Sequence, residues 1–277
     1  LAEQHVAVAS TGVIGEPLPM DKILPGIRQI PDKLHRDGAG AFSQAILTTD
    51  LVEKEACVQV NVDDQVVHIG GTAKGSGMIA PNMATMLGFI TTDALVDAAD
   101  LQLLLNQVTD RTFNMITVDG DTSTNDMVLV MANGMASNER LHPEHPDWAA
   151  FASGFMYVAE QLAKAIARDG EGATKRVEVR IEGAESENGA RAIAKTVIGS
   201  SLVKSAIFGA DANWGRIIAA IGRAGVPIHP DTIDIHIGKI KVLQQSTPVP
   251  VDEEAAESYL KEADTIEILV NLNMGSH

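Results

Sequence analysis

The chain has 277 residues, with 21 Lys plus Arg against 37 Asp plus Glu and a net charge of −16. An isoelectric point near 4.8 argues against a binder of nucleic-acid backbones or anionic membranes, which needs a cationic surface. Apolar residues at 45% exclude a disordered chain, the scarce aromatics leave no base-stacking platform, and a single cysteine excludes an intrachain disulfide.

Strand and helix patterns alternate along the chain. Val6 to Ala9 reads as a buried strand entering a turn at Ser10-Thr11-Gly12. Pro17, Pro19, Pro25 and Pro31 break the next stretch into short pieces. Ala56 to Val62 alternates apolar and polar residues, Asp63-Asp64 turns the chain back, and Val66 to Ile69 completes a hairpin. A glycine-rich segment, Gly70 to Gly77, leads to Pro81 and a second apolar run, Met83 to Ile90.

Asp93 is placed to cap a helix reaching about Phe113, with Leu101, Leu104, Leu105 and Val108 on one face. Met115 to Val118 and Met127 to Met131 read as short strands around the polar loop Asp119 to Asp126. Further on, the pattern predicts helices over Trp148 to Arg168, Ala190 to Val197, Asn213 to Arg223 and Glu253 to Glu262. Strands are predicted over Val177 to Ile181, Ile233 to Ile237, Ile240 to Leu243 and Ile266 to Leu272. No apolar stretch is long enough to span a membrane, and no signal peptide is evident. The sum is an α/β or α+β fold with substantial antiparallel sheet.

Several segments invite a chemical reading. The loop Asp119 to Asp126 is acidic, but Thr124 and Val130 stand where an EF-hand needs Gly and Glu, so a self-bonded turn is the simpler account. His142 and His145 lack a third zinc ligand nearby, and Cys57 reads as a small buried hydrophobe in a strand. The glycines around Lys74 fit neither the P-loop nor the dinucleotide spacing, yet they let backbone approach a ligand beside a cation. Thr85 is a weak nucleophile with no histidine in sequence reach. Cleavage of the Ala84–Thr85 bond would free its own α-amino group, whose ordinary pKa near 8 suits a base at neutral pH.

The run Lys74-Gly75-Ser76-Gly77-Met78-Ile79-Ala80-Pro81-Asn82-Met83-Ala84-Thr85-Met86-Leu87-Gly88-Phe89 resembles the signature of the ornithine acetyltransferase (glutamate N-acetyltransferase, ArgJ) family. Ser10-Thr11-Gly12-Val13-Ile14-Gly15 resembles the family's oxyanion segment. Thr117 to Asp126, Arg168 to Lys175, Phe208-Gly209 and Asn213 to Ile217 match further family segments, in family order over nearly the whole chain.

That resemblance implies layered mixed and antiparallel sheets covered by helices, and an enzyme that cuts itself between Ala84 and Thr85. Residues 1–84 would then be the end of an α chain and 85–277 a β chain beginning at the nucleophile. It further implies acetyl transfer from N-acetylornithine to glutamate through an acetyl-Thr85 ester, with acetyl-CoA a donor in some members. Thr11 and Gly12 would form the oxyanion hole, and Thr48, Lys74, Thr85 and Glu171 would contact substrate, Thr49 being an alternative register for Thr48. No metal or organic cofactor is implied. A cytoplasmic α2β2 heterotetramer is expected, with no nucleic-acid or membrane partner. Family members extend further at both ends, so the chain is expected to be most of a longer enzyme. Two other readings stand beside this one: a self-processing aminopeptidase or amidase of the same fold, and a non-enzymatic ligand binder using the loop around Lys74.

Overall fold

The computed structural model describes residues 2–3, 6–81 and 86–277. These residues divide into two compact units. One comprises residues up to 114 together with 121–171, the other 115–120 together with 172–277.

The first unit is built on a four-stranded sheet in the order β1 (Lys54–Val62), β2 (Gln65–Lys74), β3 (Leu87–Thr92), β4 (Met127–Ala132). β1, β2 and β3 pair antiparallel, and β4 joins β3 in parallel. The hairpin forms where the sequence predicts it. Asp63 and Asp64 both take positive φ (49° and 59°), the backbone that a two-residue turn between right-twisted strands requires.

Alternation along β1 sends Ala56, Val58, Val60 and Val62 to one face, onto the helix α4 (Trp148–Arg168). Phe151, Phe155, Val158, Leu162 and Ile166 recur at helical spacing and are fully buried. Gly154 sets the depth of this packing. A Cβ there would fall 2.7 Å from Val60, so only glycine lets the helix lie this close to the sheet. α3 (Ala98–Arg111) adds Leu101, Leu104, Leu105 and Val108 to the core.

Several expectations need correction in this unit. Val6 to Ala9 forms no strand; Val6 and Val8 are exposed (56% and 81%), since an apolar run without a partner ladder has nothing to pair with. The prolines do not break the segment after it: α1 (Met20–Lys33) runs through Pro25 and Pro31. Met20, Ile23, Leu24, Ile27 and Ile30 recur at helical spacing along it, with Ile23 half-buried and the other four exposed. A short helix that the sequence pattern does not predict, α2 (Ala39–Ala45), packs on β2, with Phe42 edge-on to Phe89 at 5.0 Å. Cys57 is exposed, because it sits in the opposite phase to Val58 and Val60. Asp97, not Asp93, stands at the N-cap of α3, while Asp93 pairs with His68 on β2 at 2.7 Å.

The second unit carries a five-stranded sheet, β5 (Arg176–Glu182), β9 (Thr265–Asn271), β6 (Asp234–Ile237), β7 (Ile240–Gln244) and β8 (Thr247–Pro248) in spatial order. Its core joins Ile235, Ile237, Leu243, Ile266, Ile268 and Val270 to apolar residues of α5 (Glu187–Ile198), α6 (Ser201–Phe208), α7 (Trp214–Gly222) and α8 (Glu253–Glu262). Ser186, Ser200, Asn213 and Asp252 cap these four helices through their side chains. α6 lies where the sequence pattern predicts no helix, and Met115 to Val118 is no strand. A 3-10 turn covers Phe113–Met115, and the Val118 carbonyl accepts from Lys204 Nζ at 2.7 Å.

Candidate active site

Among the described residues, the densest polar network of the first unit centres on Lys54, a residue that sequence reasoning passed over. Lys54 is fully buried at the start of β1. Its ammonium lies 2.6 Å from Asp50 Oδ1 and 2.6 Å from Asp169 Oδ2, and donates to the Val52 carbonyl at 3.2 Å. Both carboxylates also accept backbone amides. Asp50 takes Gly75 N–H at 2.7 Å and Thr48 N–H at 3.2 Å; Asp169 takes Leu51 N–H at 3.0 Å. A buried cation with two anions is tolerable only when the remaining valences are filled, as they are here.

This network carries the glycine-rich segment. Asp50 joins the Thr48 amide to the Gly75 amide, directly after Lys74. Ser76 Oγ donates to the Asp169 carbonyl at 2.7 Å, and the Ser76 carbonyl accepts the Glu171 N–H at 3.0 Å. The Glu171 carboxylate then lies over Gly77, so close that a Cβ at Gly77 would fall 2.6 Å from its oxygen. Thr48, Lys74 and Glu171, distant in sequence, are thus tied to one scaffold. Thr48 itself is exposed, and what reaches the network is its amide.

Lys74 is 1% exposed, and among the described residues no carboxylate forms an ion pair with it. Burial pushes its ammonium below the ordinary lysine range; Asp50 and Asp126 pull it partly back, and Lys54 opposes them. For Asp50, burial pushes the carboxyl up, but the Lys54 hydrogen bond and the Gly75 and Thr48 amides outweigh it, so the net shift is down. The site therefore presents a desolvated, partly compensated cation beside a polar backbone and a reachable carboxylate. That combination suits a small zwitterionic ligand.

A second group of contacts involves the acidic loop. Thr122 Oγ1 donates to the Ala80 carbonyl at 2.9 Å, Asn125 Nδ2 to the Ser10 carbonyl at 2.5 Å, and Asp126 Oδ1 accepts Met86 N–H at 2.5 Å. Ser10 directly precedes the expected oxyanion pair, half-buried Thr11 and exposed Gly12. Ala84 and Thr85, the expected cleavage position and nucleophile, lie outside the described residues.

One cluster of metal-ligating type, Asp63, His145 and Asp147, reads as a latch. His145 Nδ1 accepts the Asp147 N–H at 3.1 Å, so the proton sits on Nε2, which faces Asp63 Oδ1 at 3.2 Å. Asp63 N–H in turn donates to Asp147 Oδ2 at 3.0 Å. Neither ring nitrogen keeps a lone pair for a cation.

The ArgJ family profile matches residues 1–277. The chain belongs to the ArgJ family. It is an acyltransferase of arginine biosynthesis, a glutamate N-acetyltransferase by family. It is 59% identical over 276 residues to the arginine biosynthesis bifunctional protein ArgJ of Halalkalibacterium halodurans, covering 100% of this chain and 67% of that one. The protein of that name from Geobacillus kaustophilus is 57% identical over 275 residues, 99% of this chain and 67% of the relative. A crystal structure of ArgJ from Bacillus halodurans superposes with a TM-score of 0.69 at 58% identity, over 69% of this chain and 90% of that one. The mixed α/β architecture expected from the sequence is the architecture this ArgJ member shares. Among the described residues, no helix is long and apolar enough to cross a membrane.

Proposed function

We propose that this acyltransferase works by self-processing between Ala84 and Thr85, followed by acetyl transfer from N-acetylornithine to glutamate through Thr85. The observation that carries the reading is the scaffold binding Thr48, Lys74 and Glu171 around Gly75–Gly77, next to the family's threonine motif. In this scheme the freed α-amino group of Thr85 takes the hydroxyl proton as Oγ attacks the acetyl carbonyl. The tetrahedral oxyanion is met by the Thr11 hydroxyl and the Gly12 N–H, each worth about 3 kcal/mol in comparable sites. Ornithine leaves as the amine, taking a proton, and acetyl stays on Thr85 as an ester. The glutamate amine then attacks that ester, giving N-acetylglutamate and restoring the hydroxyl. Lys74 and Glu171 hold the charged ends of each amino acid.

The sheet explains how a cut chain would stay whole. β2 ends before the cleavage position and β3 begins after it, yet they pair from Ile69↔Thr92 to Lys74↔Leu87 in the middle of one sheet. Separating residues 1–84 from 85–277 would tear that ladder and expose the α4 face beneath it. Use of acetyl-CoA as a second donor, an α2β2 assembly and a cytoplasmic location belong to the same proposal.

Two measurements test it. N-terminal sequencing of the purified protein should give a fragment reading Thr-Met-Leu-Gly-Phe, absent from Thr85→Ala; an intact, fully active chain would overturn the mechanism. Without glutamate, ornithine release should stop after one turnover. Continued release would point to a hydrolase that gives the acyl group to water.

A further inference from the structure

We propose that Asp126, together with Thr122 and Asn125 of the same loop, is the positioning element that presents the Ala84–Thr85 segment for self-cleavage. The inference rests on the self-processing reading above and adds to it the residues that aim the scissile bond. The Met86 nitrogen is bonded to the Thr85 carbonyl carbon, so the 2.5 Å hydrogen bond to Asp126 Oδ1 fixes the peptide unit directly after the nucleophile. Thr122 fixes the other flank, donating to the Ala80 carbonyl at 2.9 Å. Asn125, between them, donates to the Ser10 carbonyl at 2.5 Å and so holds the segment that leads into Thr11-Gly12.

Three side chains within five residues thus grip the chain before the cleavage position, after it, and at the oxyanion segment. The loop is itself anchored. Asn125 N–H and Oδ1 both meet Ser123 Oγ (3.4 and 3.1 Å), Ser123 is buried, and Met127 N–H donates to the Met86 carbonyl at 2.9 Å as β4 begins. Met86 is therefore held at both its amide and its carbonyl. An intramolecular attack of a hydroxyl on the preceding carbonyl depends on such alignment, and a misplacement of about 1 Å costs roughly 10²-fold in rate. Through these backbone contacts, the three residues act by position.

The test is the time course of cleavage before Thr85 in the full chain, followed by mass spectrometry, for wild type, Asp126→Asn, Asp126→Ala and Thr122→Val. Asp126→Asn keeps an acceptor for Met86 N–H and should cleave within about threefold of wild type, whereas Asp126→Ala should be slower by about 10²-fold. Thr122 is exposed, so its isosteric valine keeps the fold and should slow cleavage about tenfold with an unchanged melting temperature. If Asp126→Ala fails to fold, Thr122→Val decides the matter alone. Wild-type cleavage rates in Thr122→Val, or in a folded Asp126→Ala, would overturn the positioning role. An uncleaved wild-type chain would instead overturn the self-processing reading on which it rests.

Discussion

Lys54 and Asp169, 115 residues apart, meet at 2.6 Å with side chains 0% and 6% exposed, and through Asp50 the same ammonium reaches the glycine segment at Gly75. Removing Lys54 alone would leave two carboxylates facing each other without a cation. Lys54→Met is therefore expected to cost about 3–5 kcal/mol, read as a drop in urea midpoint. The triple variant Asp50→Asn, Lys54→Met, Asp169→Asn removes all three charges and should recover most of that loss. Failure to recover would show that hydrogen-bond geometry, not charge compensation, dominates.

Lys74 sets a cost that function justifies. Its folded pKa lies below the ordinary value of 10.5, chiefly through burial, so the charged form is penalised by folding. At pH values below the folded pKa the penalty is complete. As pH rises from there towards 10.5 the folded state sheds its proton first, the unfolded state holds more protons, and stability increases. Lys74→Met should melt higher than wild type at pH 7, with the difference vanishing above pH 10.5. The same variant should lose transferase activity, a trade of function for stability.

Asp50 has the opposite sign. Its carboxyl sits below the ordinary value of 3.8 in the fold, because the Lys54 contact and two amides outweigh burial. Its contribution is therefore complete above pH 3.8 and is lost as pH falls through the folded pKa. Urea titrations between pH 2 and 6 should show a steeper acid loss in wild type than in Asp50→Asn. Equal slopes would assign the acid sensitivity to other carboxylates.

The Asp63–His145–Asp147 cluster should ignore metal. Both imidazole nitrogens are engaged by protein groups, so a chelator should leave the melting temperature unchanged. His145→Ala should lower it by about 1–3 kcal/mol worth of stability, since Asp63 and the Asp147 amide each lose a buried partner.

How much of this could be read beforehand follows from which interactions are local. The β1–β2 hairpin and α4 were legible because alternation and a 3.6-residue period are written in neighbouring residues, and the structure starts and ends α4 at the residues expected. Thr48, Lys74 and Glu171 came from family motifs, not from spacing. Lys54 carried a local signal that went unread. It stands in phase with Ala56, Val58, Val60 and Val62, on the face that α4 covers, and a lysine in that phase requires a buried partner. Asp169 and the clamps from Thr122, Asn125 and Asp126 left no such trace. Their partners lie 40 to 118 residues away, and only the folded chain brings them together. At α1 the local signal points the other way: proline is a strong local break, yet the helix continues through Pro25 and Pro31.

The last prediction concerns Gly77 and Glu171. An added methyl at Gly77 would stand 2.6 Å from both the carboxyl carbon and Oε2 of Glu171, and 2.7 Å from Oε1, well inside contact distance. The backbone at Gly77 does not need positive φ, so Gly77→Ala introduces no dihedral strain, and the clash must be relieved by moving something. The Glu171 side chain is the end that can move, because the residue is exposed while its amide stays bonded to the Ser76 carbonyl. Folding should therefore be nearly unaffected, within about 0.5 kcal/mol for a change at an exposed flexible neighbour. Binding should not be. If Glu171 meets the ammonium end of the amino-acid substrate, displacing it removes a charge-assisted hydrogen bond worth about 1.5–3 kcal/mol, a rise in KM of roughly 10- to 100-fold. Glu171→Gln should reproduce the rise in KM without the steric change, and Gly77→Ala on that background should add little. Steady-state kinetics on the three variants check this, and an unchanged KM in Gly77→Ala would remove Glu171 from the substrate-binding set.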